Sequence, residues 1–196
     1  MIRAGFTIEN PMTKSRTVVI KSDVETNGAG WVFEFHCVPK AQSDVPEHLH
    51  LTWTENFEIV LGSAYYKLSG IQKTAKAGDK FVVLPGQIHI HPWNAGDTEL
   101  VFRQSDTFEQ PSSEAVQDIL GVFATRAGLA REGKVDKNGH PQSLMQLAVT
   151  LRTLNKYGGY NACMPILVQN FLGPTLGWLA ERLGYKEVYP QYVNVG

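Results

Sequence analysis

The sequence predicts a mainly β protein in which a strand-rich segment, residues 1–110, is followed by a helical segment, residues 111–196. Two observations predict this division. Short apolar runs separated by turn residues occupy the chain as far as residue 105. After Gln110-Pro111, apolar residues recur with helical spacing instead. A chain of 196 residues with 43% hydrophobic residues can form one domain, or one domain with a helical appendage.

The strands of the first segment are short and regularly interrupted. In order, the candidates are GFTIE, SRTVVIKS, GWVFEFHCV, EHLHL, ENFEIVLG, SAYYKLSG, IQKTAKAG, DKFVVLP, IHIHPW and TELVFRQS. Turn signals such as Asn27-Gly28, Pro85-Gly86 and Gly96-Asp97 separate them. Many short strands with regular turns are typical of an antiparallel sandwich or barrel.

About three helices are predicted after Pro111. Ser112 or Ser113 can cap a first helix beginning at Glu114. Leucines and alanines between residues 144 and 154 recur with helical spacing and predict a second helix, which Gly158-Gly159 ends. A third helix is predicted from Met164 to Leu183, with a kink at the internal Gly173-Pro174. Polar residues inside this apolar segment argue against a membrane span.

Composition excludes several classes of partner. The chain has 18 Lys and Arg against 19 Asp and Glu, a formal net charge of −1, and no basic stripe, so no nucleic acid partner is expected. The N-terminal residues lack the apolar core of a signal peptide, which predicts a cytoplasmic protein. Cys37 and Cys163 are too few for a disulfide framework and are interpreted as structural thiols.

Four residues with metal-binding side chains form the most informative pattern in the sequence. His48 and His50 form a His-x-His pair on a predicted strand, where alternation points both rings to one face. Glu55 follows after a tight bend, and His89 arrives from a separate strand. Imidazole and carboxylate groups suit one divalent transition metal such as Fe, Mn, Ni, Cu or Zn. The pattern therefore predicts a metal site inside a sheet, closed by the fold.

The spacing of these residues resembles the first motif of the cupin superfamily, G-x5-H-x-H-x(3,4)-E-x6-G. His48, His50, Glu55 and Gly62 fall in register with it, and Gln42 replaces the leading glycine. The resemblance implies the cupin double-stranded β-helix, or jelly-roll, barrel for residues 1–110.

The second cupin motif, G-x5-P-x-G-x2-H-x3-N, is also present in the correct order. Gly78, Gly86 and His89 match it. Leu84 stands where proline is usual and Trp93 where asparagine is usual, each with the expected residue next along the chain. These departures affect turns and strand ends more than the ligands. The resemblance also implies a small-molecule ligand and a homodimer.

His91 shares a face with His89 and is the candidate catalytic residue. It could act as an acid or base near neutral pH, bind substrate, or replace His89 as a ligand. Aromatic residues on the strands predict an apolar pocket around the metal, which suits a planar substrate. Arg103 and Lys67 are the candidate inward cations, and His140 is interpreted as a loop residue.

The predicted function is that of a metal-dependent cupin, a dioxygenase-type oxidoreductase acting on an enolic, phenolic or diketone substrate. An isomerase or lyase acting on a carbonyl compound fits the same pocket. A non-catalytic cupin that binds a metal or small ligand is the alternative from another class, because the fold does not decide between them.

Alternation also predicts an apolar strip on the outside of the barrel. If the histidines point inward, then Leu49, Leu51, Ile88 and Ile90 point outward and need a cover. Either the helical segment packing on the barrel or a second subunit could provide it.

Overall fold

The computed structural model describes residues 1–43, 45–136 and 139–193, so part of the predicted helical segment lies outside the described residues. Its strands form two antiparallel sheets. In chain order the strands are β1 Thr7–Asn10, β2 Ser15–Lys21, β3 Gly30–Cys37, β4 His48–His50, β5 Trp53–Leu61, β6 Ser63–Leu68, β7 Ile71–Lys76, β8 Lys80–Val83, β9 His89–Asn94, β10 Leu100–Phe108 and β11 Gly159–Asn161.

The six-stranded sheet has the order β1-β2-β3-β10-β5-β8, and the five-stranded sheet has the order β11-β4-β9-β6-β7. Alternating residues of each strand face the interior. On β3, for example, Trp31, Phe33 and Phe35 are buried while Glu34 and the other intervening residues are less so. Phe35 lies directly opposite Phe102 of β10, and their rings stack with centroids 4.5 Å apart. The expected mainly β architecture with helices mostly at the C-terminal end is confirmed.

The helices are α1 Asp23–Thr26, α2 Ser113–Arg131, α3 Leu144–Lys156, α4 Ile166–Arg182 and α5 Pro190–Val193. Ser112 is the residue that caps α2, because its hydroxyl accepts a hydrogen bond from the backbone N–H of Ala115 at 3.2 Å. The short helices α1 and α5 were not predicted. A four-residue helix shows no apolar periodicity in the sequence, although Ser22 and Glu25 form a capping box at α1.

Helix α2 belongs to the core of the barrel. Val116, Ile119 and Leu120 are buried in the same cluster as Trp31 and Phe33 of β3. The helix therefore lies against the inner face of the six-stranded sheet. The outer strip remains substantially exposed, with Leu51 at 43% and Ile88 at 39%.

Gly158-Gly159 ends a helix, as the sequence predicts, but it also leads into strand β11, which the sequence does not predict. After α3 the chain turns at Gly158, whose φ of 86° suits glycine, and runs antiparallel to β4. Gly159 lies opposite His50, and Asn161 lies opposite His48. The helical segment thus contributes a strand to the sheet that carries two of the predicted ligands.

Helix α4 has an unusual distribution of residues. Its buried positions are Gln169, Gly173, Gly177 and Ala180, where small residues allow close packing on α3. Its large apolar residues, including Leu167, Phe171 and Trp178, are exposed. Among the described residues, none of the helices combines the length and apolar character needed to cross a bilayer.

Candidate metal centre

The predicted ligands lie on three strands that meet at one end of the barrel. His48 of β4 is directly opposite His89 of β9, and their ring centroids are 4.1 Å apart. Glu55 stands near the start of β5 and faces inward between the buried Trp53 and Phe57. His50 and His89 are also buried. The fold therefore brings together all four residues that the sequence pattern singled out.

The tightest group of potential ligand atoms belongs to His48, Glu55, His89 and His91, and these atoms all lie within 4.8 Å of one another. This cluster of three histidines and a glutamate could bind a metal ion. His50 lies beside it, with its Nε2 atom 3.6 Å from Oε1 of Glu55 and its ring stacked on Trp53. The structure thus places His91, predicted as a catalytic residue, within the cluster and His50 at its edge.

The tautomers of two histidines are defined by backbone carbonyls. Nδ1 of His48 lies 2.8 Å from the carbonyl oxygen of Pro46, and Nδ1 of His89 lies 2.9 Å from that of Gln87. Since a carbonyl only accepts, Nδ1–H is the donor in both cases, and in the neutral ring each Nε2 has a lone pair. Fixing the ring in this way is typical of metal-binding histidines.

The ring nitrogens of His50 and His91 have no hydrogen-bond partner among the described residues, although both side chains are buried. Buried polar atoms are normally paired, because an unpaired group costs about 1–3 kcal/mol. A bound cation would satisfy such nitrogens. The donor set therefore fits a divalent transition metal.

The electrostatics favour the charged carboxylate of Glu55 and the neutral rings of His48 and His91. Burial alone would raise the pKa of Glu55, but the nearby rings of His91, His50 and His89 lower it well below its usual value. Burial lowers the pKa of His48 well below normal and also lowers that of His91. Burial opposes protonation of His89 too, but its 2.9 Å contact with Glu55 outweighs this and raises its pKa. A metal ion that binds His89 would displace this proton, so metal binding would release a proton to solvent.

Two polar residues of β10 complete the surroundings of Glu55. Nε2 of Gln104 donates to Oδ1 of Asp106 at 3.1 Å and to Oε1 of Glu55 at 3.4 Å. Burial and the charge of Glu55 raise the pKa of Asp106 well above its usual value. The sequence reasoning missed both residues. The available signal was their inward register between Phe102 and Phe108 on β10.

A mostly apolar cavity of about 90 Å³ adjoins the cluster. The barrel contributes Trp31, His48, Glu55 and Gln104 to its wall. Helices α2 and α3 contribute the opposite wall, which includes Ile119, Phe123, Leu147 and Leu151. The helical segment therefore closes the candidate site.

The cations of the site region differ from those expected. Arg103 pairs with Glu34 at 2.9 Å and Lys67 pairs with Glu47 at 2.8 Å. Neither of these two residues lines the cavity. Arg126 of α2 lines it instead. His140 lies outside helices and strands, as expected of a loop residue, and also reaches the cavity wall.

The two antiparallel sheets with an inward cluster of three histidines and a glutamate define a cupin-type double-stranded β-helix, which confirms the resemblance seen in the sequence. No protein-family profile matches the chain, and no curated protein matches it.

Several solved structures are similar in fold. One is titled a predicted oxalate decarboxylase from Thermotoga maritima, with 24% identity over 55% of this chain and 93% of that chain and a TM-score of 0.46. Another is a conserved protein with a double-stranded β-helix domain from Klebsiella pneumoniae. It has 23% identity over 48% of this chain and 77% of that chain, with a TM-score of 0.41. A third is the Cupin_2 domain of an XRE family transcriptional regulator from Enterobacter cloacae. It has 15% identity over 49% of this chain and 98% of that chain, with a TM-score of 0.42.

Proposed function

We propose that this chain is a metal-dependent enzyme of the dioxygenase type that acts on a small enolic or diketone compound. The observation that carries the proposal is that His48, Glu55 and His91 of the metal-binding cluster line a mostly apolar cavity. Apolar pockets with a few convergent polar groups are the usual form of small-molecule sites.

His48, Glu55 and His89 are common to the cupin motifs and to the geometric cluster, so we assign them to the metal. The motif adds His50 as the fourth ligand, whereas the distances favour His91. Bound there, a divalent first-row metal would supply Lewis acidity and, if redox-active, a path for electrons from an enol to dioxygen.

The surrounding residues would prepare the substrate for that chemistry. Helices α2 and α3 form part of the cavity wall, and Trp53 and Gln104 hold the Glu55 carboxylate through N–H donors at 3.4 Å. If His50 is the fourth ligand, the neutral ring of His91 remains to accept a proton from the substrate. Burial lowers the pKa of His91, which keeps that ring neutral.

Cavity size favours enols and diketones over phenols. The cavity of about 90 Å³ is smaller than the roughly 150 Å³ that holds benzene in an engineered apolar cavity. A cavity of this volume therefore suits a substrate of about five non-hydrogen atoms better than an aromatic ring.

The test is metal analysis of the purified protein followed by oxygen-uptake assays with malondialdehyde and other enolic compounds of about five non-hydrogen atoms. We expect uptake that a chelator abolishes and that Fe, Mn, Ni or Cu restores. His36→Gln is the matched control, because His36 lies on the outer side of β3 beside Glu34. Carbonyl conversion without oxygen uptake would indicate an isomerase or lyase. Ligand binding by a metal-loaded protein without any turnover would contradict the proposal and favour the binding-protein alternative.

A further inference from the structure

Two buried polar atoms, carried by residues that line the cavity, are left without a partner by the fold. Trp31 and Gln104 are each only 1% exposed, and both line the cavity beside the metal cluster. Nε1 of Trp31 and Oε1 of Gln104 have no hydrogen-bond partner among the described residues. The first is a donor only, and the second is an acceptor only.

The orientation of the Gln104 amide is determined by its neighbours. Its Nε2 atom faces Oδ1 of Asp106 and Oε1 of Glu55, at 3.1 and 3.4 Å. Both contacts are made by the amide nitrogen, and the amide oxygen makes none among the described residues. The amide oxygen is therefore left for another partner.

Strand register places the two unpaired atoms near each other. Trp31 lies directly opposite Asp106 in the pairing of β3 with β10, and Gln104 is two residues before Asp106. Trp31 and Gln104 are therefore diagonal neighbours on the same face, with a typical Cα separation of about 7–8 Å. One group bound between them could contact both.

We propose that this pair binds a hydroxyl group of the substrate. A hydroxyl accepts from Trp31 Nε1–H and donates to Gln104 Oε1, which neither a carbonyl nor a carboxylate can do at once. This inference rests on the proposed function for the metal end of the cavity. It narrows the substrate class to small hydroxycarbonyl compounds, whose carbonyl end faces the cluster while the hydroxyl group lies between Trp31 and Gln104.

The test compares two probes with equal numbers of non-hydrogen atoms, hydroxyacetone and butanone, by ligand-detected NMR titration of the metal-loaded, full-length protein without oxygen. We expect the wild type to bind hydroxyacetone more tightly. Trp31→Phe keeps a ring but removes the donor, so it should weaken hydroxyacetone binding about threefold to tenfold, the effect of one neutral hydrogen bond. Its affinity for butanone and its metal content should stay unchanged.

Trp178→Phe is the matched control, because the same substitution is made on the exposed face of α4. If wild-type protein does not prefer hydroxyacetone, or if Trp31→Phe keeps the preference, the pair holds only water and the inference is wrong. Such a result would leave metal-dependent oxygen uptake untouched. The protein could instead show no metal-dependent turnover but still prefer hydroxyacetone over butanone, with Trp31→Phe removing that preference. In that case the proposed reaction is wrong, while the hydroxyl-binding site is supported.

Discussion

His50 and His91 approach different oxygens of the same carboxylate. Nε2 of His50 lies 3.6 Å from Oε1 of Glu55, and Nε2 of His91 lies 3.4 Å from Oε2. A four-ligand site needs only one of them in addition to His48 and His89. The ring of His50 is stacked on Trp53 with centroids 4.6 Å apart, which holds it to one side of the cluster.

Variants of single histidines should separate the two ligand sets. We expect His48→Gln and His89→Gln to purify with almost no metal, because both ligand sets contain these residues. We expect His91→Gln to lose metal affinity more than His50→Gln, because the His91 atom lies within 4.8 Å of those of His48, Glu55 and His89, whereas the His50 ring is stacked on Trp53. Elemental analysis and metal titration are the measurements. His36→Gln is the control, and a larger loss in His50→Gln would establish the ligand set of the cupin motif.

At the residue scale, the sequence predicted the ligands but not their support. His48, His50, Glu55 and His89 are recognisable because each has ligand chemistry at motif spacing. Gln104 and Asp106 have no such spacing, and their approach to Glu55 depends on the pairing of β10 with β5. The raised pKa of Asp106 follows from burial beside the Glu55 carboxylate, which a sequence pattern does not contain.

At the element scale, α2 was predictable and β11 was not. The apolar stripe of α2 covers several turns and carries a clear period. Strand β11 has three residues, begins with glycine and pairs with a strand more than 100 residues earlier in the chain. Its partner is set by the route of the chain after α3, and no local alternation marks it.

Because α2 lies in the barrel core, a cavity in this helix should destabilise the whole chain. Leu120 is fully buried, and Leu120→Ala is expected to cost about 2–5 kcal/mol in the free energy of unfolding. That corresponds to a decrease in Tm of roughly 4–20 °C. Leu144→Ala is the matched control, since Leu144 is 75% exposed. Equal melting temperatures for the two variants by calorimetry would show that α2 contributes little to the core.

At the scale of the whole molecule, helix α4 leaves several large apolar side chains exposed. Leu167, Phe171 and Trp178 of α4 are 83%, 70% and 51% exposed. The interior-facing residues of the same helix are small or polar. A helix that is apolar on most sides is normally buried. Homodimer interfaces have the apolar, aromatic-rich composition that this face offers.

We therefore expect the predicted homodimer to form through α4. Size-exclusion chromatography with light scattering should give the mass of a dimer for the wild type and of a monomer for Phe171→Asp. Ile71→Asp is the control, because Ile71 is similarly exposed, at 64%, on the edge strand β7. If Ile88→Asp alone produces the monomer, the outer strip of the sheet is the interface. A monomeric wild type would show that the homodimer prediction is wrong.

The pairing of β11 with β4 bears on whether the barrel can be transplanted. Strand β4 is paired with β9 only at His48, whereas β11 pairs with all three of its residues. Most backbone partners of this histidine-bearing strand thus come from the far end of the chain. A graft that carried residues 1–110 into another protein would leave β4 nearly unpaired, although every motif residue would be present. In laboratory evolution of this protein, substitutions in α3 and α4 should alter metal affinity about as readily as substitutions inside the barrel.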